Sequence, residues 1–303
     1  MSKNLIVILG PTASGKTRLA SKLAHDLNGE VISADSRQVY RKMNIGTGKD
    51  LREFVIDGWE VPYHLIDVED PQNEFNLFEF HKRFFLIFDD LRKRNVLPVL
   101  VGGTGLYLES ILCQYDLPEA PVNQNRRDEL NGKTMEELRQ RLWELKPQLH
   151  NRTDLDDRER LIRAIEIELA RQDVQKTGMA GQEVNAAVFG IRWERAELRR
   201  RITRRLDERL DQGMVEEVAS LHAHGLSWAR LESFGLEYRF ISQYLQHKIT
   251  YPEMKEKLNI AIHQFAKRQD TWFRRMERKG VAIHWLPGDD YPLLRESVLQ
   301  DLL

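Results

Sequence analysis

Cysteine is almost absent from the 303-residue chain, where Cys113 stands alone. One thiol excludes an intramolecular disulfide and a cysteine-rich zinc site, and it suits a reducing compartment. Long apolar runs are missing too. The opening "LIVIL" is too short for a bilayer span or a signal-peptide core, and no longer run follows it. A soluble, cytoplasmic protein with no membrane partner is expected. Charge of one sign is also lacking: 46 Lys and Arg against 47 Asp and Glu leave a net charge of -1. No global positive field marks nucleic acid as a partner, and any basic surface must be local. Internal repeats and low-complexity segments are absent, which excludes a solenoid.

With 41% hydrophobic residues the chain can bury a substantial core. From Leu5 to about Leu112, short apolar runs ("LIVIL", "EVISA", "VLPVLVGG") alternate with amphipathic stretches, the pattern of β-α units around a parallel sheet. Between 117 and 183 the strand-like runs vanish and helical spacing takes over, as in Leu138, Leu142 and Leu145 or Leu161, Ile165 and Leu169. "VNAAVFGIRW" at 184–193 reads as a return to the sheet. Arg195 to Met276 reads as long amphipathic helix punctuated by Gly213, Gly225 and Gly235, and "VAIHWL" as one last strand. The expected fold is α/β: a core of residues 1–116 and 184–303 with helices flanking a parallel sheet and C-terminal helices packed on it, plus a helical insertion at 117–183.

Directly after the first strand comes "GPTASGKT", in which Gly10, Gly15, Lys16 and Thr17 match the P-loop pattern; Leu19, Leu23 and Leu27 line one face of the helix that follows. The glycines let the N–H groups of the segment formed with Pro11, Thr12, Ala13 and Ser14 converge on phosphate oxygens; Lys16 adds a point charge, and the Thr17 hydroxyl can ligate Mg²⁺. P-loop phosphoryl transfer also needs an acidic residue at the end of a second buried strand. The candidate, "FFLIFDD" at 84–90, has Phe80, Phe84, Ile87, Phe88 and Leu91 at helical spacing. Asp89 and Asp90 therefore read as the solvated end of a helix, and the acidic partner is missing.

"EVISADSRQVYRKMNIGTGK" places Asp35 and Ser36 just beyond a strand, at the sheet edge where open α/β folds keep their ligands. A carboxylate facing phosphates is an odd ligand for them; it makes sense as a base or a metal-bridging group, or else as a cap on the next helix. "LVGGTGLY" at 100–107 offers a second glycine turn with Thr104.

Together "GPTASGKT", "ADSRQVYRKMNIGTGK", "YHLID", "VGGTGLY", "RLIRAIE" and "AKRQDTWF", in this order, resemble the tRNA dimethylallyltransferases (tRNA isopentenyltransferases) of bacterial type over about Ile6 to Trp285. The resemblance implies transfer of a dimethylallyl group from dimethylallyl diphosphate to N6 of the adenosine 3′ of the anticodon, position 37 of tRNA. It implies Asp35 as base, Lys16 and the P-loop on the diphosphate, Thr104 at the leaving oxygen, Arg201 closing on the diphosphate, and Mg²⁺ held by Thr17 together with it. Asp35, Ser36, Arg37 and Gln38 would read the flipped adenine, and Glu159, Arg160, Leu161, Ile162 and Arg163 would meet the anticodon stem-loop. A monomer is expected. Two departures stand out: "GLEY" (Gly235 to Tyr238) where the family usually has Gly-Tyr-Lys-Glu, and Ile262-His263 where it usually has Thr-Arg. Prenylation of free adenine nucleotides and a P-loop kinase are the alternatives.

Overall fold

The structure is a computed structural model that describes residues 3–117, 124–146, 155–173 and 183–302. It divides into two compact units, residues 1–115 with 182–303, and residues 116–181.

In the larger unit β1 (Leu5–Leu9) is apolar at every position and wholly buried, as a strand covered on both faces must be. It leads through the P-loop into α1 (Lys16–Asp26), then β2 (Gly29–Ala34). A small hairpin of β3 (Val55–Ile56) and β4 (Trp59–Glu60) and a short strand β5 (Tyr63–His64) precede α2 (Leu77–Lys93). That helix buries Phe80, Phe84, Phe88 and Leu91 on one side and leaves Asp90 exposed to pair with Arg94, so "FFLIFDD" is helix and not strand. β6 (Leu97–Gly102) and α3 (Gly105–Leu112) complete the first half.

The smaller unit holds α4 (Gln124–Asn131), α5 (Met135–Leu145) and α6 (Arg158–Asp173). A capping box between Thr134 and Glu137 starts α5. Leu130, Leu138, Leu142, Leu161, Ile162 and Ile165 form a core of its own.

The chain rejoins the sheet with β7 (Ala186–Arg192). The long helical stretch is five helices: α7 (Arg195–Asp211), α8 (Met214–Ala223), α9 (Trp228–Ser233), α10 (Leu236–Leu245) and α11 (Tyr251–Arg278). Gly213, Gly225 and Gly235 stand at three of the breaks; the fourth, before Thr250, has no glycine and is set by the Thr250–Glu253 capping box. β8 (His284–Pro287) starts three residues later than the sequence run suggests, and α12 (Tyr291–Leu302) follows. The six-stranded sheet has the order β5-β2-β6-β1-β7-β8, parallel throughout. Among the described residues no helix is long and apolar enough to cross a membrane.

Candidate functional site

Strand register assembles the site. Leu9 pairs with Gly102 and Gly190, and Gly102 pairs with Ala34, so β1, β2 and β6 reach their carboxyl ends in one row while β7 runs two residues further. The residues that follow three of them (Gly10, Asp35 and Gly103) therefore share one edge and line or border a cleft of about 470 Å³. This is the crevice where open parallel sheets bind ligands.

At the P-loop, Gly15 takes φ 85° and caps α1 without a side chain, a conformation glycine adopts at little cost. The N–H groups of Gly15, Lys16 and Thr17 have no protein acceptor among the described residues, whereas Ser14 N–H donates to Pro11 O. Three side chains from the distant C-terminal half grip the loop: Trp193 Nε1 donates to Ser14 O (3.0 Å), Arg201 Nε donates to Ala13 O (2.9 Å), and Gln269 Oε1 accepts from Thr12 N (2.8 Å). Arg201 also lies over the Trp193 ring, 4.1 Å from its centroid.

The cleft gathers Lys16, Arg37, Arg201, Arg204, Arg205, Arg209 and Arg268 in its wall. Loss of solvent, and then the charge of Arg205, push the Lys16 ammonium down to about 8. Burial, with Arg205 again, lowers Arg209 to about 10. Cations held together at such a cost are stabilised by a multiply charged anion between them. Glu53 is also in the wall, its carboxyl raised above the usual range by burial although Arg205 pulls it down.

Asp35 Oδ1 accepts from Arg37 N (2.9 Å) and Gln38 N (3.3 Å), so the residue caps a turn after β2, where the sequence suggests a helix. Both bonds use one oxygen, and the carboxylate still lines the cleft. Thr104 Oγ1 accepts from Ser36 N (3.1 Å), joining the two turns. Gln38 bonds Ser33 Oγ and Gly48 O, each at 3.4 Å.

The "GLEY" segment serves this region. Glu237 pairs with Arg37 at 2.9 Å and lies 3.9 Å from Arg209. Tyr238 donates to Glu217 (2.8 Å), whose carboxylate also accepts from Asn44, Ile45 and Gly46 N. The loop that carries Gly46 and Thr47 into the cleft is thus held from α8 and α10. Of the second departure, Ile262 is buried in the cleft wall, and His263 Nε2 is 3.3 Å from Thr203 Oγ1, its imidazole lowered by burial.

In the smaller unit, Glu159 and Arg160 are exposed, and Arg163 is half-buried against Glu166 (3.1 Å), which also pairs with Arg127 (3.0 Å). Leu161 and Ile162 turn their side chains into the core beside Leu138 and Leu142, and so brace α6.

Sequence reasoning missed Trp193, Arg209, Glu217 and Gln269. Gln269 had a signal, as the polar member of an otherwise apolar stripe on α11 (Met254, Leu258, Ile262, Ala266, Phe273, Met276).

Compared with known proteins, the chain matches the IPP transferase family over residues 38–276 and the isopentenyl transferase family over residues 3–57. It is 53% identical to tRNA dimethylallyltransferase 1 of Syntrophus aciditrophicus, covering 100% of this chain and 99% of that protein. It is 56% identical to tRNA dimethylallyltransferase 2 of Syntrophotalea carbinolica over 97% of each. Among solved structures it resembles the tRNA isopentenylpyrophosphate transferase of Bacillus halodurans at 32% identity and a TM-score of 0.71, covering 100% of this chain and 97% of that one. A eukaryotic dimethylallyltransferase acting on tRNA, 23% identical with a TM-score of 0.77, shares the fold over 99% of this chain and 77% of its own.

Proposed function

The chain belongs to the IPP transferase family, and from that premise we propose that it transfers a dimethylallyl group from dimethylallyl diphosphate to tRNA, at N6 of the adenosine in position 37. The observation that carries the site assignment is the cleft itself, whose wall holds Lys16, several arginines, the unpaired P-loop N–H groups and the Asp35 carboxylate.

The exocyclic amine of adenine is a weak nucleophile because its lone pair is delocalised into the ring. Asp35 takes its proton as the N–C bond forms. The allylic C–O bond breaks, its electron pair leaves with the diphosphate, and the charge that grows there meets Lys16, Arg201, Arg205 and the N–H groups of residues 15–17. Thr104 stands at the leaving oxygen. Lys16 matters most while it is protonated, which the incoming diphosphate favours.

Mg²⁺ fits this chain as a companion of the diphosphate. Among the described residues no three His, Cys, Asp or Glu side chains gather into a metal site. The hard oxygens on hand in the cleft include the Thr17 hydroxyl and the carboxylates of Asp35, Asp50 and Glu53. Thr17 would hold the ion, which when bound would offset charge on the leaving group.

To reach N6 the base must leave the anticodon stack, and contacts from Ser36, Arg37 and Gln38 offset that cost. Arg160 and Arg163 of α6 are assigned to the stem-loop phosphates, with Glu159 beside them in the stretch that meets the stem-loop. We take the protein to act as a cytoplasmic monomer.

The test incubates the protein, Mg²⁺ and labelled dimethylallyl diphosphate with tRNA, AMP or no acceptor. Label in tRNA, lost when adenosine 37 is replaced, is expected. Label in AMP with tRNA left bare would overturn the acceptor, and ATP-dependent phosphoryl transfer above a Lys16→Ala control would overturn the reaction class.

A further inference from the structure

Gln269 is 5% exposed, the polar residue in the buried stripe of α11, and both ends of its amide are hydrogen-bonded. Oε1 accepts from Thr12 N at 2.8 Å, and Nε2 donates to Gly103 O at 2.9 Å. One side chain therefore joins the P-loop after β1 to the glycine turn after β6. The fit is close on both sides. A Cβ on Gly103 would collide with the Gln269 amide, and one on Gly105 would collide with Trp272, three residues further along the same helix face. The connection continues, because Thr104 follows Gly103 and accepts from Ser36 N (3.1 Å), next to Asp35. A neutral amide suits both partners, since a carboxylate lacks the donor that Gly103 O needs, and a lysine or arginine lacks the acceptor that Thr12 N–H needs.

We propose that Gln269 is a positioning residue for the reaction, setting the distance between the diphosphate cradle and the Thr104–Asp35 turn. It rests on the function proposed above and touches neither reacting atom. Dimethylallyl diphosphate binding depends mainly on the P-loop; transfer depends on how that loop stands relative to Thr104 and Asp35. A misplacement on the order of 1 Å costs about 10²-fold in rate.

Gln269→Glu is the informative variant. Ionised, it still accepts from Thr12 N–H but repels Gly103 O; protonated, it again donates and nearly restores the glutamine. The ratio of variant to parent kcat is read across pH, with dimethylallyl diphosphate binding measured without acceptor. Expected are a kcat about 10²-fold below the parent at high pH, a ratio that recovers as pH falls, and binding within a few-fold throughout. A parent-like kcat at every pH would overturn the proposal, as would a loss that is independent of pH and matched in Gln269→Leu by equal losses of binding and melting temperature. Should Gln269→Glu fail to fold, Gly103→Ala pushes on the same amide and must lower kcat with binding kept. Label transfer by the parent tests the proposed function separately. If the parent transfers nothing, hydrogen exchange over residues 103–108 still decides this point: parent-like in Gln269→Glu at low pH and faster than the parent at high pH, or else unchanged.

Discussion

Ser36 donates its backbone N–H to Thr104 Oγ1 at 3.1 Å, which locks the turn after β2 to the turn after β6. Asp35 is therefore held at the cleft by two means, this bond and its own Oδ1 contacts to Arg37 and Gln38. The second role decides which substitution is informative. Asp35→Ala removes the turn acceptor together with the base. Asp35→Asn keeps an oxygen for both N–H groups and removes only the proton acceptor. Expected for Asp35→Asn is a kcat about 10²–10⁴-fold below the parent, with dimethylallyl diphosphate affinity and melting temperature unchanged. Activity within a few-fold of the parent would remove Asp35 as base.

Lys16 gives the pH dependence of the first substrate. Its folded value of about 8 lies below the 10.5 of an ordinary lysine, so the folded protein loses this proton first. The cost of holding the charge is present in full below about 8, and the empty protein gains stability between about 8 and 10.5. An anion favours the ammonium. Affinity for dimethylallyl diphosphate, measured without acceptor, should be flat below about 8 and fall by up to about tenfold per pH unit above it, with one proton taken up on binding. Calorimetry in buffers of different ionisation enthalpy reads that proton, and its absence would contradict the assignment.

Fixed spacing made much of this site readable in advance. The P-loop motif, Asp35 and Thr104 each sit just after an apolar run, and strand register then brings the runs to one edge. The unread residues act at long range. Trp193 and Gln269 hold Ser14 and Thr12 from 179 and 257 positions away, and although Gln269 stands out as polar in an apolar stripe, nothing local says which residue either one holds. The burial of Leu161 was legible from its helical spacing with Ile165 and Leu169, whereas that of Ile162 was not, since it lies off that spacing. Helix breaks followed glycines where there were glycines, and the break before Thr250 is marked instead by a capping box with Pro252 in its first turn, a signal that punctuation by glycine passes over.

Tyr238 tests the "GLEY" departure. Its hydroxyl is held well above the ordinary tyrosine value, by burial first and then by Glu217, and it stays protonated to donate to that carboxylate. Tyr238→Phe removes one bond and leaves Glu217 with its contacts to Asn44, Ile45 and Gly46 N–H. A loss of about 1 kcal/mol is expected, read as a lower urea midpoint at unchanged slope. Because the loop lines the cleft, the KM for tRNA should rise more than that for dimethylallyl diphosphate. An unchanged midpoint would mean that the hydroxyl contributes nothing to holding the loop.

The two arginines assigned to the two substrates should part in kinetics. Arg163→Ala is a safe truncation, because Glu166, 2% exposed, keeps its two bonds from Arg127 and is not left as a buried bare charge. If Arg163 meets a phosphate of the stem-loop, its loss should raise the KM for tRNA and flatten the salt dependence of tRNA binding by about one unit, since each phosphate contact releases roughly 0.7–0.9 counterion. Arg201 is different in kind: it steadies Ala13 O through Nε and lies over Trp193 while its charge faces the cleft. Arg201→Ala should lower kcat by about 10²–10³-fold with the salt slope unchanged. Arg201→Lys keeps the charge and loses the planar grip on the P-loop, so it should recover part of kcat. The same weakening of tRNA binding in both alanine variants, with kcat untouched, would mean that Arg201 belongs to RNA binding and that the leaving group is held without it.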